Sequence, residues 1–422
     1  MYSTSATAQL CEIMLRDSAH IQMFEAEWRN RKAARSGGKL KEFVPLYDMD
    51  AAVNVCKQFV GCEYDKIYNI ADGIKIRFTD VGHLLGSASI EVWATEKTEN
   101  GDVTEKIVFS GDIGNINKPI IKDPKHVTDA DYVVMESTYG NRSHGGTPNY
   151  VEDLTNIFKR TFERGGNVVI PSFAVGRTQE LLYIIRKIKE DNLVGRDFDV
   201  YMDSPLAIEA TNIFIKNVES CFDDEAVELV RKGINPLSFP GLKYATTGDE
   251  SKQINFDPNP KVIISSSGMC EAGRIRHHLK HNLWRPECTI VFVGYQAVGT
   301  TGRIIVDGAE EIKLFGEPIQ IKAEIVQLKG SSGHADKDGL LCWINAFDRK
   351  PKKVFVVHGE DSVCDEFTEC LKEEYGYDAM APYTGGSYDL IADRVISEGV
   401  KERKTRRTVS YTHLKLPTIL RV

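Results

Sequence analysis

The sequence has no long hydrophobic run and no export signal. None of its apolar stretches approaches the roughly 20 residues that a membrane-spanning helix needs. Its first ten residues, MYSTSATAQL, carry neither the basic cluster nor the apolar core of a secretory signal. These absences argue against a membrane protein and predict a cytoplasmic location.

The sequence also lacks closely spaced cysteine pairs and an excess of positive charge. The nine cysteines include no Cys-x-x-Cys pair, which argues against a zinc ribbon or a thioredoxin-like site and predicts reduced thiols. With 53 Lys and Arg against 61 Asp and Glu, the formal charge is −8. This charge argues against sequence-blind coating of nucleic acid, although a basic groove needs only a few well-placed residues.

The 422 residues suit two domains. Apolar periodicity predicts a helix over residues 6–23, and the polar, Gly-containing residues 29–41 predict a loop or a frayed helix end. Short β-type runs follow up to residue 136. From about residue 149, helices alternate with apolar strands, a pattern that predicts a parallel, doubly wound sheet. Past residue 322 the order becomes strand, loop, helix, strand.

Three residues of metal-ligand type each follow a predicted strand and stand beside glycine. They are His83 in DVGHLLGSA, Asp112 in FSGDIG and His358 in VVHGE. Taken alone, each is equally explained as a turn aspartate or a surface histidine. Together they predict a hydrolytic metal site with an open coordination position.

Two further residues suit proton transfer. Glu136 in MESTYG ends an apolar strand, where a carboxylate is costly unless it is paired. His334 lies in SSGHAD, just before a predicted helix. A carboxylate that orients an imidazole is a common supporting arrangement in metal sites, whereas the plainer interpretation of Glu136 is a cap.

The five motifs GHLLGSA, FSGDIG, ESTYG, SSGHAD and VVHGE, in this order, resemble the metallo-β-lactamase-fold nucleases that carry an inserted β-CASP domain. Ribonuclease J and the endonuclease of the cleavage-and-polyadenylation complex belong to this family. The resemblance covers residues 6–390. It implies an α/β protein in which an αββα metallo-β-lactamase sandwich, residues 1–145 and 325–400, holds an inserted β-CASP α/β domain, residues 146–324.

The resemblance also implies a role for each motif residue. His83 would bind one Zn²⁺, Asp112 would bridge two, and His358 would bind the second. Glu136 would support the ligands as the family's first β-CASP acid, and His334 would be the general acid. His at position 358 favours RNA over DNA, and the products would carry 5′-phosphate and 3′-hydroxyl ends.

One family signature, His-x-His-x-Asp-His, is absent from the sequence. Residues 2–22 resemble the segment that follows it, so we expect the chain to begin downstream of that signature. The remaining ligands are too few for two zinc ions, each of which needs about four. We therefore expect this chain to be an inactive or nearly inactive fragment of a parent that hydrolyses RNA phosphodiester bonds with zinc. In the tail, residues 401–422, the last 14 residues contain VSYTHL, which resembles a translated sequencing adapter, so we interpret them as an artefact.

Two Gly- and Ser-rich strand–helix junctions are candidate RNA contacts. Ser172 and Arg177 lie in PSFAVGR, and Ser267, Gly268 and Arg274 lie in SSSGMCEAGR. Such junctions present backbone N–H groups and a helix N-terminus to phosphate, and arginine adds charge-assisted bonds. The alternative is a tight turn without a ligand. The basic stretch from residue 274 to 285 is compatible with RNA binding or with the solvent face of a helix.

Other functions stay open. A small-molecule hydrolase of the same fold would lack the β-CASP insertion, and DNA cleavage is disfavoured by His358. A second alternative is a non-catalytic RNA-binding relative that has lost its ligands. The presence of His83, Asp112 and His358 argues against it for the intact parent, although truncation would make this fragment behave in that way. The sequence does not decide between endonuclease and 5′-exonuclease action, and it leaves the RNA target and a homodimer open.

Overall fold

The computed structural model describes residues 1–35, 42–145, 149–328 and 332–400. The tail, residues 401–422, and part of the predicted loop, residues 36–41, lie outside the described residues. Two large sheets organise the described chain, one of seven strands and one of six.

The first part of the chain supplies five strands of the seven-stranded sheet. Its elements are β1 Tyr2–Thr4, α1 Ser5–Arg35, α2 Met49–Cys56, β2 Val60–Cys62, β3 Ile67–Ala71, β4 Ile74–Asp80, β5 Ala88–Thr98, β6 Gly101–Phe109 and β7 Tyr132–Glu136. Strands β3 to β6 are antiparallel neighbours, and β5 turns into β6 at Asn100-Gly101. Strand β7 lies parallel to β6.

The prediction of a loop or frayed helix end from residue 29 was wrong for its first part, because α1 continues to Arg35. Glu25 lies 3.9 Å from Arg29, and Glu27 lies 3.8 Å from Arg31. Opposite charges four residues apart stabilise a helix, so this polar segment has local support for helix without an apolar face.

The middle of the chain forms the six-stranded sheet and its helices. Its elements are α3 Tyr150–Glu163, β8 Val168–Pro171, α4 Arg177–Glu190, β9 Asp199–Asp203, α5 Pro205–Lys216, α6 Val218–Cys221, α7 Asp224–Arg231, β10 Leu242–Tyr244, α8 Gly248–Phe256, β11 Lys261–Ser265, α9 Ile275–Asn282, β12 Thr289–Val293, α10 Thr301–Val306, β13 Glu311–Leu314, β14 Glu317–Gln320 and β15 Glu324–Leu328. The order is β10-β9-β11-β8-β12-β15, and every pairing is parallel. Strands β8, β11 and β12 are buried throughout, as a sheet covered on both faces requires. The predicted parallel sheet is confirmed.

The last strand of this sheet crosses the predicted domain junction at residues 324/325. Strand β15 pairs with β12 from Thr289↔Glu324 to Val293↔Leu328. We therefore propose that the inserted domain extends to about residue 328, four residues beyond the predicted boundary.

The final part of the chain returns to the seven-stranded sheet. Its elements are α11 Lys337–Ile344, β16 Lys353–Val357, α12 Asp361–Glu373, β17 Ala379–Met380, β18 Ser387–Asp389 and β19 Arg394–Ser397. Strand β16 lies parallel to β7, with Val357 opposite Glu136, and β17 extends the same edge. The first and last parts of the chain thus form one sheet, and the middle part is an insertion. None of the described helices is both long and apolar enough to cross a membrane.

Candidate metal centre

His83 stands on a tight loop that glycine makes possible. The loop follows β4, and Gly82 has a φ of +64°. A Cβ at Gly82 would lie 2.6 Å from the carbonyl oxygen of Lys122, so a larger residue would clash there. The Ser87 hydroxyl accepts hydrogen bonds from the backbone N–H groups of His83 (3.0 Å) and Leu84 (3.2 Å), which fixes the loop.

Asp112 follows β6 on a second glycine-dependent loop. Gly111 has a φ of +63°, and a Cβ there would lie 2.6 Å from the Ala88 carbonyl oxygen. Gly114 approaches the His83 loop so closely that a Cβ would lie 2.0 Å from the Gly82 carbonyl oxygen. The glycines of the two motifs therefore serve the close approach of one loop to the other.

The Asp112 loop also pairs with the segment that carries His334. Gly114 and His334 form an isolated antiparallel bridge. The N–H of Ala335 donates to the Ile113 carbonyl at 2.7 Å, and the N–H of Gly114 donates to the Val81 carbonyl at 2.8 Å. Three motifs that lie far apart in the sequence are thus joined by backbone hydrogen bonds.

Glu136 is buried at the end of β7 and holds His334. Both of its carboxylate oxygens lie 3.1 Å from Nδ1 of His334. Its Oε1 also accepts from the N–H of Ile113 at 2.5 Å, and its Oε2 from the N–H of Thr138 at 3.3 Å. A buried carboxylate with these partners is stabilised, and it fixes the orientation of the imidazole through Nδ1.

His358 follows β16 with a φ of +52°, a conformation uncommon outside glycine. Its carbonyl oxygen accepts hydrogen bonds from the N–H of Ser137 and the hydroxyl of Thr138, both at 3.2 Å. Because β7 and β16 are parallel neighbours, the residues that follow them meet at one sheet edge. The pairing of these strands therefore brings His358 to the Glu136 motif.

The three predicted histidines gather around Asp112. Its Oδ2 lies 3.8 Å from Nε2 of His83, and its Oδ1 lies 3.3 Å from Nε2 of His358. The His334 ring centroid is 4.4 Å from that of His83 and 5.9 Å from that of His358. One carboxylate oxygen thus faces each of two imidazoles.

Burial and neighbouring charges shift the pKa values within the cluster. Burial, together with the nearby His334 and Lys118, lowers the pKa of His83 well below its usual value. Burial would also lower the pKa of His334, but the hydrogen bond to Glu136 and the charge of Asp112 raise it overall. Burial and Glu136 raise the pKa of Asp112 despite the nearby imidazoles. His83 is therefore neutral, the form that binds metal.

The donor set fits a metal ion. His83, Asp112 and His334 each offer a ligand atom, and the three atoms lie within 4.8 Å of one another. Nε2 of His83 is the ring nitrogen that faces the carboxylate, 3.8 Å from Oδ2 of Asp112, and a neutral imidazole can offer this atom to a metal ion. Nε2 of His358 lies 3.3 Å from the other oxygen of Asp112, whereas Nδ1 of His334 is held by Glu136. The imidazoles of His83 and His358 and the carboxylate of Asp112 are donors that suit Zn²⁺.

The first candidate RNA-binding junction is used within the protein. Ser172 is fully buried, and its hydroxyl accepts a hydrogen bond from Thr178 at 3.0 Å. The guanidinium of Arg177 lies 2.6 Å from the Glu180 carboxylate. These contacts give both side chains structural partners, and an RNA contact by either remains a prediction.

The second junction packs against the first. A Cβ at Gly268 would lie 2.9 Å from the Phe173 ring, and the Ser267 hydroxyl donates to the Ala272 carbonyl at 3.3 Å. Arg274 donates to the buried Asp203 carboxylate at 2.7 Å and to the carbonyls of residues 245 and 246. The Arg274 guanidinium therefore has an internal electrostatic partner, which argues against its prediction as a phosphate contact.

Two residues of functional interest escaped the sequence analysis. Lys118 donates to the carbonyl of His83 at 2.9 Å, and Asp203 binds Arg274 and His278. Asp203 had a usable signal, because it ends an apolar strand as Glu136 does. Lys118 had none, since its partners lie far away in the sequence.

The chain is also similar in sequence to known proteins. Residues 178–305 match the Beta-Casp domain, and residues 318–382 match a Zn-dependent metallo-hydrolase RNA specificity domain. A ribonuclease of Thermus thermophilus is 33% identical over 361 residues, which cover 86% of this chain and 75% of the relative. The chain belongs to the β-CASP family of metallo-β-lactamase-fold RNA nucleases. This membership confirms the predicted fold class.

Other members of the β-CASP family are longer than the matched region. An RNase J-like protein of Methanocaldococcus jannaschii is 34% identical over 295 residues, or 69% of this chain and 65% of the relative. The transcription termination factor FttA of Methanosarcina mazei is 31% identical over 358 residues, or 83% of this chain. The chain spans 54% of that factor.

Proposed function

We propose that the Asp112 cluster is the metal centre of a ribonuclease that hydrolyses RNA phosphodiester bonds. The observation that carries the proposal is the position of Asp112, with one carboxylate oxygen facing His83 and the other facing His358. A carboxylate placed in this way can bridge two cations. The family membership and the Zn-dependent domain match support a metal cofactor and an RNA substrate.

Each side chain has a distinct task in this proposal. His83, His358 and Asp112 would hold the metal. The bound metal would supply Lewis acidity and an activated water. Glu136 keeps His334 oriented through Nδ1 and favours its protonated form. Nε2 of His334 then gives a proton to the leaving oxygen, which is general acid catalysis.

The inserted domain distinguishes this function from that of a small-molecule hydrolase of the same fold, because small-molecule enzymes lack it. RNA would lie between the inserted domain and the seven-stranded sheet. The presence of His358 favours RNA over DNA, and the products would carry 5′-phosphate and 3′-hydroxyl ends. The cytoplasmic location and the homodimer remain predictions.

The number of metal-ligand residues in this chain favours a second candidate function. Three family ligands, His83, Asp112 and His358, are fewer than two zinc ions require. The residues present are therefore expected to bind metal weakly and to hold RNA with little or no cleavage. This behaviour is that of a non-catalytic RNA-binding protein.

The test compares the chain with a chimera. A segment carrying the family's His-x-His-x-Asp-His is placed before Met1, and both proteins are incubated with Zn²⁺ and single-stranded RNA labelled at its 5′ end. We expect the chimera to cleave the RNA and the unmodified chain to leave it intact. The chimera variant H334A is expected to cleave about 10²–10⁴-fold more slowly, the usual contribution of a general acid.

The matched control is the chimera variant D112N, which has nearly the same shape but cannot bridge two cations. It is expected to lose metal-dependent cleavage while it still binds RNA. A chimera that binds zinc but cleaves RNA no faster than this variant would refute the proposed function.

A further inference from the structure

A buried network of three charged side chains joins the inserted domain to the metal-binding sheet. Nζ of Lys118 lies 3.2 Å from Oε1 of Glu180, and Nη1 of Arg177 lies 2.6 Å from Oε2 of the same carboxylate. Lys118 follows β6 in the metal-binding part, whereas Glu180 and Arg177 belong to α4 of the inserted domain. The side chains of Lys118 and Glu180 are each only 10% exposed.

Lys118 also contacts the metal centre. Its Nζ donates a hydrogen bond to the backbone carbonyl of His83 at 2.9 Å. A single ammonium group therefore links the backbone of a candidate ligand with a carboxylate of the inserted domain.

A second contact lies at the same place. Gly176, which precedes α4, has a φ of +84°, and a Cβ there would lie 2.5 Å from Cδ2 of Leu84. Leu84 is the neighbour of His83. The start of α4 therefore contacts the His83 loop in two ways: Gly176 leaves room for Leu84, and Glu180 pairs with Lys118.

The energetics make these contacts depend on each other. A buried ammonium is costly unless a carboxylate or several acceptors accompany it. Without Glu180, Lys118 would turn toward water and release the His83 carbonyl. Its position therefore depends on the docking of the inserted domain.

We propose that Lys118, held by Glu180, is a positioning residue that couples docking of the inserted domain to the orientation of His83. This inference rests on the proposed function, since it assigns His83 to the metal centre. The coupling is reciprocal: a ligand that orders His83 also favours the docked inserted domain.

Hydrogen exchange on the full chain without metal or RNA tests the proposal. The reporters are the N–H groups of His83 and Leu84, which both bond to the Ser87 hydroxyl and lie in a peptide spanning residues 81–86. We expect K118M and E180Q to accelerate their exchange by about tenfold or more, the effect of losing one hydrogen bond to a charged group. K118R, which keeps the charge and a donor, is expected to restore slow exchange.

The matched control is E324Q, which disturbs the Arg160 and Arg164 pairs within the inserted domain, and it is expected to leave the reporters unchanged. Unchanged reporters in K118M or E180Q overturn the proposal. An equal acceleration in α8, which contacts Asp203 through Ser251 rather than α4, also overturns it, because Lys118 would then stabilise only the whole fold. If K118M does not fold, E180Q decides. Because the exchange experiment contains no metal or RNA, either of these two contradicting results leaves the chimera test of the proposed function unaffected.

Discussion

Replacement of Asp203 by asparagine is expected to destabilise the inserted domain by about 3 kcal/mol. Asp203 ends β9 and is fully buried. Its carboxylate accepts hydrogen bonds from His278 at 2.6 Å, Arg274 at 2.7 Å and Ser251 at 2.5 Å. Asparagine keeps the shape but removes the charge and one acceptor oxygen.

The magnitude follows from what remains after the substitution. Breaking a buried ion pair costs about 3–5 kcal/mol, because the surviving charge loses its partner. The Arg274 side chain is 24% exposed and keeps its bonds to two backbone carbonyls, so water and backbone compensate in part. The lower end of the range therefore applies.

The effect depends on pH in a defined direction. Burial alone would raise the pKa of Asp203, but the hydrogen bonds from His278, Ser251 and Arg274 lower it overall. A lowered pKa in the folded state means that the contribution is complete above the unfolded pKa of about 4 and disappears as the pH falls through the folded value. The difference between the wild type and D203N should shrink below about pH 4.

Urea unfolding, followed by circular dichroism, measures this difference in the free energy of unfolding. The control is D199N on the same strand, where Asp199 pairs with Lys243 at 2.7 Å on the surface and a loss of at most about 1 kcal/mol is expected. A D203N variant no less stable than D199N would refute the reasoning. The Asp203 pair would then no longer argue against the RNA contact that the sequence predicted for Arg274.

Two further predictions concern the metal centre. G114A should lose about 3 kcal/mol of stability or fail to fold, since its Cβ would lie 2.0 Å from the Gly82 carbonyl oxygen. G248A, with open space around it, should be nearly neutral in the same thermal unfolding assay, and equal stability of the two variants would contradict this reasoning. E136Q should lower the pKa of His334, because burial then dominates once the Glu136 charge is removed. An NMR titration of the imidazole measures this pKa, and an unchanged value would show that Glu136 does not control it.

The convergence of the candidate ligand residues could be predicted from the sequence because these residues share a local pattern. Asp112, Glu136 and His358 each follow a strand, and parallel pairing of β7 with β16 brings the last two to one sheet edge. Glycines beside His83 and Asp112 indicated tight loops, and positive φ values at Gly82 and Gly111 confirm them. Short motifs carry this information because strand ends and turns are local features.

The roles of the basic residues could not be predicted, because they depend on distant partners. Arg274 pairs with Asp203, which lies 71 positions earlier in the sequence, and Lys118 pairs with Glu180 of the inserted domain. The sequence places Arg274 in a loop of the type that binds phosphate. It does not show that a carboxylate from elsewhere in the chain pairs with the guanidinium. Similarly, the polar end of α1 resembled a loop because its stabilising pairs are ionic rather than apolar.

A zinc anomalous-scattering map from crystals soaked in Zn²⁺ tests the central assignment most directly. We expect a peak bonded to Asp112 and to Nε2 of His83 or His358, at about 2.0–2.2 Å from each ligand atom. Because the donors are few, partial occupancy is expected. Zinc bound elsewhere, for example at cysteine thiols, with no peak beside Asp112, would contradict the assignment of this cluster as the metal centre.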